Sequence, residues 1–477
     1  MGQEIIASRF RKQDFTRFAR ALAQETALLQ QWHEQGRLSG RRGIGGFELE
    51  AWLVDAEGNP APINEEYLAL LGDSALYSPE LSRFNVELNS SPLALEGDAL
   101  ARMQRELETN WQRCRAVAQQ LDADLVMIGI LPTVRDTMLS LQNMSQMERY
   151  RALNEQVLRL RQGRPLELNI VGEQHLEALH GDVMLEAATT SFQLHLQVEP
   201  EKAVRYYNAM QILSAPMVAI SANSPLLFGK RLWQETRIPL FEQAVAIGGI
   251  AGGAFGPLRR VSFGSGYARY SLMEVFEENA EHFPLLLPVE LGDEPAQLSH
   301  LRLHNGTIWR WNRPLIGFDE DGTAHLRIEH RVIPAGPTII DAIANAALFY
   351  GLVEALAGQS TPAEQQLEFF QARDNFYAAA RYGLNAQVTW LDGRRGRMAE
   401  LLQRLLPLAR QGLVQLGCEP RLSEYYLSVI AQRLHSGQTG SAWQLGYLDR
   451  HGEDLAAMLA AYREGQESGK PVHAWRL

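Results

Sequence analysis

Four short segments carry side chains of opposite kind on alternate positions, and their polar halves are unusually rich in groups that bind cations and phosphate. In residues 47–51, Phe47, Leu49 and Ala51 alternate with Glu48 and Glu50; in 83–89, Phe84, Val86 and Leu88 alternate with Asn85, Glu87 and Asn89. In 191–198 the polar half is Gln193, His195 and Gln197, and in 326–332 it is Arg327, Glu329 and Arg331. A period of two is that of a β-strand with one face buried. Any one such strand, with a solvated polar face, is ordinary in an antiparallel sheet. The four together are less ordinary, because carboxylates brought side by side repel unless a cation lies between them. Mg²⁺ or Mn²⁺ suits such a donor set: hard cations that take carboxylate oxygen, keep waters and bridge to phosphates. Arg327 and Arg331 are suited to phosphate oxygens, and metals with arginines around a nucleotide stabilise a transferring phosphoryl group.

The elements that must position these groups follow from pattern. Residues 10–38 predict a helical lead-in, and 98–122 an amphipathic helix whose apolar stripe includes Leu100, Met103, Leu107, Trp111, Cys114 and Val117. The run from Leu125 to Leu131, closed by Pro132, predicts a buried strand. From Thr361-Pro362 onward, Leu, Ala and Arg recur at helical spacing. The expected division is a catalytic region over 1–360 and a helical C-terminal region over 361–477 packed on it. Glycines at 248–249, 252–253, 264 and 266 lack the Lys-Ser/Thr of a phosphate loop, and 246–268 reads equally as a mobile loop over the active site or as an ordinary surface loop.

Composition narrows the class. The 477 residues are 46% hydrophobic and 21% charged, ordinary for a globular chain. A net charge of -11 argues against nucleic-acid binding, and two cysteines exclude a disulfide framework or a cysteine metal site. Residues 1–15 lack an apolar signal stretch, Ile6 stands where a myristoylation signal wants Ser or Thr, and no unbroken apolar run of spanning length occurs. The expectation is a soluble, cytoplasmic protein without a membrane partner.

These residues resemble a known family. Gly46-Phe-Glu-Leu-Glu50, the pair Glu80 and Glu87 ending in Leu88-Asn89, and Arg327-Ile-Glu-His-Arg331 are similar to the metal and phosphate motifs of the glutamine synthetase superfamily. Thr189-Thr-Ser-Phe-Gln-Leu-His195, Ala219-Ile-Ser-Ala-Asn-Ser-Pro225 with Gly229 and Arg237, Met147-Glu-Arg-Tyr150, Arg313-Pro314 and Ala380-Arg-Tyr-Gly-Leu384 resemble glutamate–cysteine ligase type 2. Gly437-Gln-Thr-Gly440 resembles the carboxylate-amine ligase branch.

The resemblance, spanning about 43 to 445, implies an α+β fold with a curved antiparallel sheet backed by helices, the active site on its concave face. It implies one metal held by Glu48, His195 and Glu329 and a second by Glu50, Glu80 and Glu87. Arg331 and Arg327 would contact the γ-phosphate, Arg237 and Arg313 a substrate carboxylate or phosphate, and Arg149, Tyr150 and Gln193 the substrate pocket. The implied reaction joins a small carboxylate such as glutamate to an amine such as cysteine, using ATP and Mg²⁺ (or Mn²⁺), through an acyl phosphate. The chain departs from relatives after Arg331, where Val-Ile-Pro-Ala-Gly-Pro337 replaces a segment that often carries an acid. The amine is therefore not read from the sequence. A γ-glutamyl ligase for another amine, a small-molecule kinase on the same cradle and a non-catalytic metabolite-binding protein are the alternatives. Homo-oligomerisation, common among related folds, is left open.

Overall fold

A computed structural model describes residues 4, 5, 9–72, 74–248 and 259–477. Its centre is a curled, all-antiparallel sheet, so the α+β architecture with a curved sheet and backing helices is that of the chain. The sheet strands are β1 (Ile44–Val54), β2 (Tyr77–Pro79), β3 (Asn85–Asn89), β4 (Leu93–Ala94), β5 (Asp124–Val126), β6 (Phe192–Val198), β7 (Asn312–Phe318) and β8 (Ala324–His330). They run in the order β7-β8-β6-β1-β3-β2, with β4 and β5 also pairing to the long β1.

The helices used below are α1 (Lys12–Glu34), α2 (Ala99–Gln119), α3 (Glu148–Leu160), α4 (Ala203–Ser221), α5 (Ser299–Gly306), α6 (Ile339–Ala357) and α7 (Met398–Leu416). Period-2 alternation sends Phe47, Leu49, Val86, Leu88, Leu194, Leu196 and Ile328 to one face, where all are buried. Helices α4 and α6 cover that face. The α6 Phe349 ring stacks on His330 at 4.4 Å between centroids, and Tyr350 donates its hydroxyl to the carbonyls of Gly46 (2.9 Å) and His195 (3.1 Å). Tyr350 thereby ties the helix to two neighbouring strands at the level of the acidic motifs. Among the described residues α6 alone is long and apolar enough to cross a membrane, and 89% of its apolar window is buried, as in a core helix.

Residues beyond 361 contribute α7 and further helices to the same hydrophobic core. Helices α6 and α7 cross with almost no side chain between them: a Cβ added to Gly412 would stand 1.8 Å from the Gly351 carbonyl oxygen. Two of the quoted strings meet at a second tie. Asn223 donates to the Ala335 carbonyl (2.7 Å) and the Tyr462 hydroxyl (2.8 Å) and accepts from Gln444 (3.0 Å). Gly440 passes so close that a Cβ there would lie 2.0 Å from Asn223 Oδ1.

Several expectations are adjusted. The 98–122 helix is Ala99–Gln119, with Cys114 fully buried as its stripe requires. The run 125–131 is buried, yet only Asp124–Val126 is strand. Beyond it, the Ile128 carbonyl accepts from the Trp52 indole and the Thr190 hydroxyl, so side chains take the bonds a ladder would have used. After Pro362 a short 3-10 turn, Ala363–Gln365, precedes the helix Phe369–Tyr382. Residues 249–258 of the 246–268 loop lie outside the described residues.

Candidate active site

The register of the sheet lines up the functional groups. Arg313 on β7 is opposite Glu329 on β8, Glu329 is opposite His195 on β6, and His195 is opposite Gly46 on β1. Two positions along β1, Glu48 is opposite Gln193, and Glu50 is directly opposite Glu87 on β3. Strand pairing, with the loop that carries Glu80, thus places two groups of three candidate ligands, Glu48, His195 and Glu329 in one and Glu50, Glu80 and Glu87 in the other. Within each group the ligand atoms lie no more than 4.8 Å apart. Glu80 comes from the loop between β2 and β3, not from a strand.

The first group is buried and shaped to receive a cation. His195 Nε2 stands 3.3 Å from Glu48 Oε1 and 3.9 Å from Glu329 Oε1. Yet neither ring nitrogen of His195 makes a hydrogen bond, nor does Glu48 Oε2, although all three are shielded from solvent. Buried polar atoms held without partners are costly unless something binds them. Carboxylates with one imidazole fit Mg²⁺ or Mn²⁺ there. Burial pushes the Glu48 carboxyl up, but His195 and then Arg327 outweigh it and hold it well below the usual carboxylate range.

Glu329 is fully buried and doubly paired. Arg313 grips both its oxygens, each at 2.9 Å, and Arg331 Nη1 donates to Oε2 at 2.9 Å. Burial raises its pKa, and the two guanidiniums override this and hold it at about 2.

The second group carries repulsion. Burial, aided by Glu87 and Glu186 and opposed by Arg331, raises Glu50 to about 8. Burial and the charges of Glu87 and Glu50 likewise push Glu80 well above its ordinary value. A divalent cation is the natural relief for such a set. Gln193 connects the two groups, donating to Glu50 Oε1 at 2.8 Å while its carbonyl accepts from Arg331 Nη1.

Three cavities meet at these groups. The first, about 540 Å³, is bounded by Glu48, His195, Gln197, Asp319, His325 and Arg327. The second, about 100 Å³, is bounded by Glu50, Glu80, Arg149, Tyr150, Glu186 and Arg331. A third of about 230 Å³ lies between, sharing Glu48 and Arg327 with the first and Arg149, Tyr150, Leu153 and Trp309 with the second.

With this arrangement in view, comparison of the chain with family profiles is decisive: that of glutamate-cysteine ligase family 2 matches residues 44–464. The chain belongs to that family. Comparison with curated protein sequences finds no match. Among solved structures, the glutamate–cysteine ligase of Francisella tularensis in complex with AMP is similar at a TM-score of 0.54 and 11% identity, over 91% of this chain and 90% of that one. A bifunctional glutathione synthetase from Pasteurella multocida is similar at 0.53 and 12%, over 93% of this chain and 55% of that one. At such identities these likenesses speak for the fold.

Within this family member, most residues singled out by sequence gather at the cleft. Arg149 and Tyr150 open α3, the guanidinium 5.1 Å from the phenol ring centroid, and the Tyr150 hydroxyl donates to the Pro79 carbonyl at 3.2 Å. Arg327 contacts no hydrogen-bond acceptor among the described residues and borders two cavities. Arg237 lines none of these three cavities. It lies over Trp311, pairs with Glu235 at 3.2 Å and donates to the carbonyls of Arg331 (3.2 Å) and Val332. Its donors are therefore spent on holding the turn after β8.

Sequence reasoning missed Glu186 and Arg302. Glu186 sits in the short turn Met184–Ala188 and lines the charged cavity; burial, opposed by Arg331 and Arg149, raises it to about 7. The one signal in the sequence was an acid inside the apolar string Met184-Leu-Glu-Ala-Ala188.

Proposed function

We propose that this chain is an ATP- and Mg²⁺-dependent carboxylate–amine ligase that activates L-glutamate, or a closely similar carboxylate, and couples it to an amine. The observation that carries the reading is the pair of three-ligand groups facing one cleft and linked through Gln193 to Arg331. Glu48, His195 and Glu329 would hold one metal and Glu50, Glu80 and Glu87 the other, and bound metal would supply charge neutralisation for the phosphates.

The chain's own residues then position the reactants. The 540 Å³ cavity reaches Glu48 and Arg327 and has room for a nucleotide. Arg331, and with it Arg327, stabilises the γ-phosphoryl group as a carboxylate oxygen of the donor attacks phosphorus and the β–γ P–O bond breaks, releasing ADP. The amine nitrogen next attacks the acyl carbon, the C–O bond to phosphate breaks, and the nitrogen sheds a proton. Products are an amide, ADP and phosphate. ATP and glutamate are cytoplasmic metabolites, which suits the cytoplasmic setting expected above.

The test is ADP release from ATP and Mg²⁺ with L-glutamate, with and without amines beginning with cysteine, and mass analysis of the product. ADP that rises with an amine, accompanied by the matching amide, supports the ligase. ADP with a phosphorylated donor and no amide would replace it by a kinase, and no turnover with bound ATP would favour a binding protein.

A further inference from the structure

The middle cavity is ill matched to two small polar amino acids. Leu153, Phe276, Leu287, Leu301, Leu315 and Ile316 give it one apolar wall, and Glu48, Arg149, Arg302, Arg313 and Arg327 bring charge to the rest of its lining. An apolar wall of this kind holds an apolar body, and the charged groups facing it can fix its orientation. A cysteine side chain would leave most of about 230 Å³ unfilled.

The polar groups are equally specific. Arg302, on α5, lines the same space and rests on the Phe318 ring at 5.5 Å. Neither Arg302 nor Arg327 forms a salt bridge among the described residues, although Glu48 borders the same cavity. Partial burial, then the neighbouring charge of Arg327, lowers the pKa of Arg302 against the opposing charge of Asp293. Two like charges bordering one cavity call for an anion, and a guanidinium grips a carboxylate through paired N–H groups.

The wall carrying Arg302 is also built to stay in place. Glu25 of α1, itself buried, accepts from His300 Nδ1 at 2.6 Å and from the Leu301 backbone N–H at 2.8 Å, fixing the first turn of α5.

We infer that the amine acceptor is an α-amino acid with a bulky apolar side chain, seated among Leu153, Phe276, Leu287 and Leu301 with its carboxylate on Arg302. This rests on the ligase reading above. The amine then points to the Glu48 and Arg313 border, where the activated acyl group would be presented. One methylene more or less in such a pocket changes discrimination by about tenfold or more.

The experiment pairs binding with turnover. The full chain, with Mg²⁺ and a non-hydrolysable ATP analogue, is titrated with L-leucine, L-phenylalanine, L-2-aminobutyrate, L-cysteine and isoamylamine. ADP release with ATP and L-glutamate is followed for the same acceptors. Leucine or phenylalanine is expected to bind, and to give kcat/KM, at least about tenfold above 2-aminobutyrate and cysteine. Arg302→Gln should weaken leucine much more than isoamylamine, which has no carboxylate. Turnover that favours cysteine overturns the inference and leaves the ligase in place. Failure of both apolar amino acids to bind overturns it outright. Arg302-dependent binding without ADP from any acceptor supports the ligand class and overturns the ligase reading instead.

Discussion

Replacing Glu329 by Gln removes one negative charge from between two buried guanidiniums. The carboxylate takes three hydrogen bonds of 2.9 Å, two from Arg313 and one from Arg331, and none of its surface reaches solvent. A glutamine is isosteric, but one acceptor oxygen becomes an NH₂ that faces an arginine donor. Breaking a buried ion pair by altering one partner costs about 3–5 kcal/mol, because the remaining charge is left uncompensated. The metal-free variant should therefore unfold at lower urea by that amount. Wild type should gain stability from Mg²⁺ by mass action, about 2.7 kcal/mol at a hundredfold excess over Kd, and the variant should gain little. ADP release should be lost. Pairing Glu329→Gln with Arg313→Met relieves part of the excess charge, so stability should recover partly while turnover stays absent. Urea unfolding with and without Mg²⁺, beside ADP release, separates the two roles. Full turnover with ordinary Mg²⁺ dependence in Glu329→Gln would refute the placement of this carboxylate at the reacting centre.

Glu50 and Glu186, raised in the fold to about 8 and about 7, are favoured in their neutral forms. Their contribution is complete below the unfolded carboxyl value of about 4.3 and is lost as pH rises through the folded values. Without metal, the protein should lose stability between about pH 5 and 8, and Mg²⁺ should reverse the loss at the upper end; thermal unfolding at both pH values reads this. Arg237→Ala leaves Glu235 buried without its partner and should destabilise by about 3–5 kcal/mol; a folded variant with only a raised donor KM would contradict that role. Gly412→Ala forces α6 and α7 apart and should cost about 1–3 kcal/mol in urea unfolding, with activity of the folded fraction retained. Tyr350→Phe removes a donor to two strand carbonyls and should cost about 1 kcal/mol by the same assay.

The cleft was legible where chemistry and strand period coincide. Glu48, Glu50, Glu87, His195, Glu329 and Arg331 were visible because alternation puts them on one face, and antiparallel register brings them across from one another. Glu186 and Arg302 were not, since a short turn and a one-sided helix impose no comparable pattern. Arg237 shows the converse. Its place in a family string suggested a ligand contact, while its surroundings make it a strut for backbone carbonyls. The edge strand β7 escaped notice because Pro314 and Gly317 interrupt its apolar alternation. The buried run after Val126 looked like strand because burial, not hydrogen bonding, sets composition.

The clamp from Glu25 to α5 bears on how this pocket can be re-engineered. His300 is held by a side chain 275 positions earlier in the chain. Residues 276–316 are therefore not a transplantable cassette: grafted into a relative without α1, they would lose the contact that seats their first helical turn. Libraries meant to change the acceptor should vary α1 and α5 together, and substitutions at position 25 should be epistatic with those at 301 and 302 although Glu25 does not line the pocket.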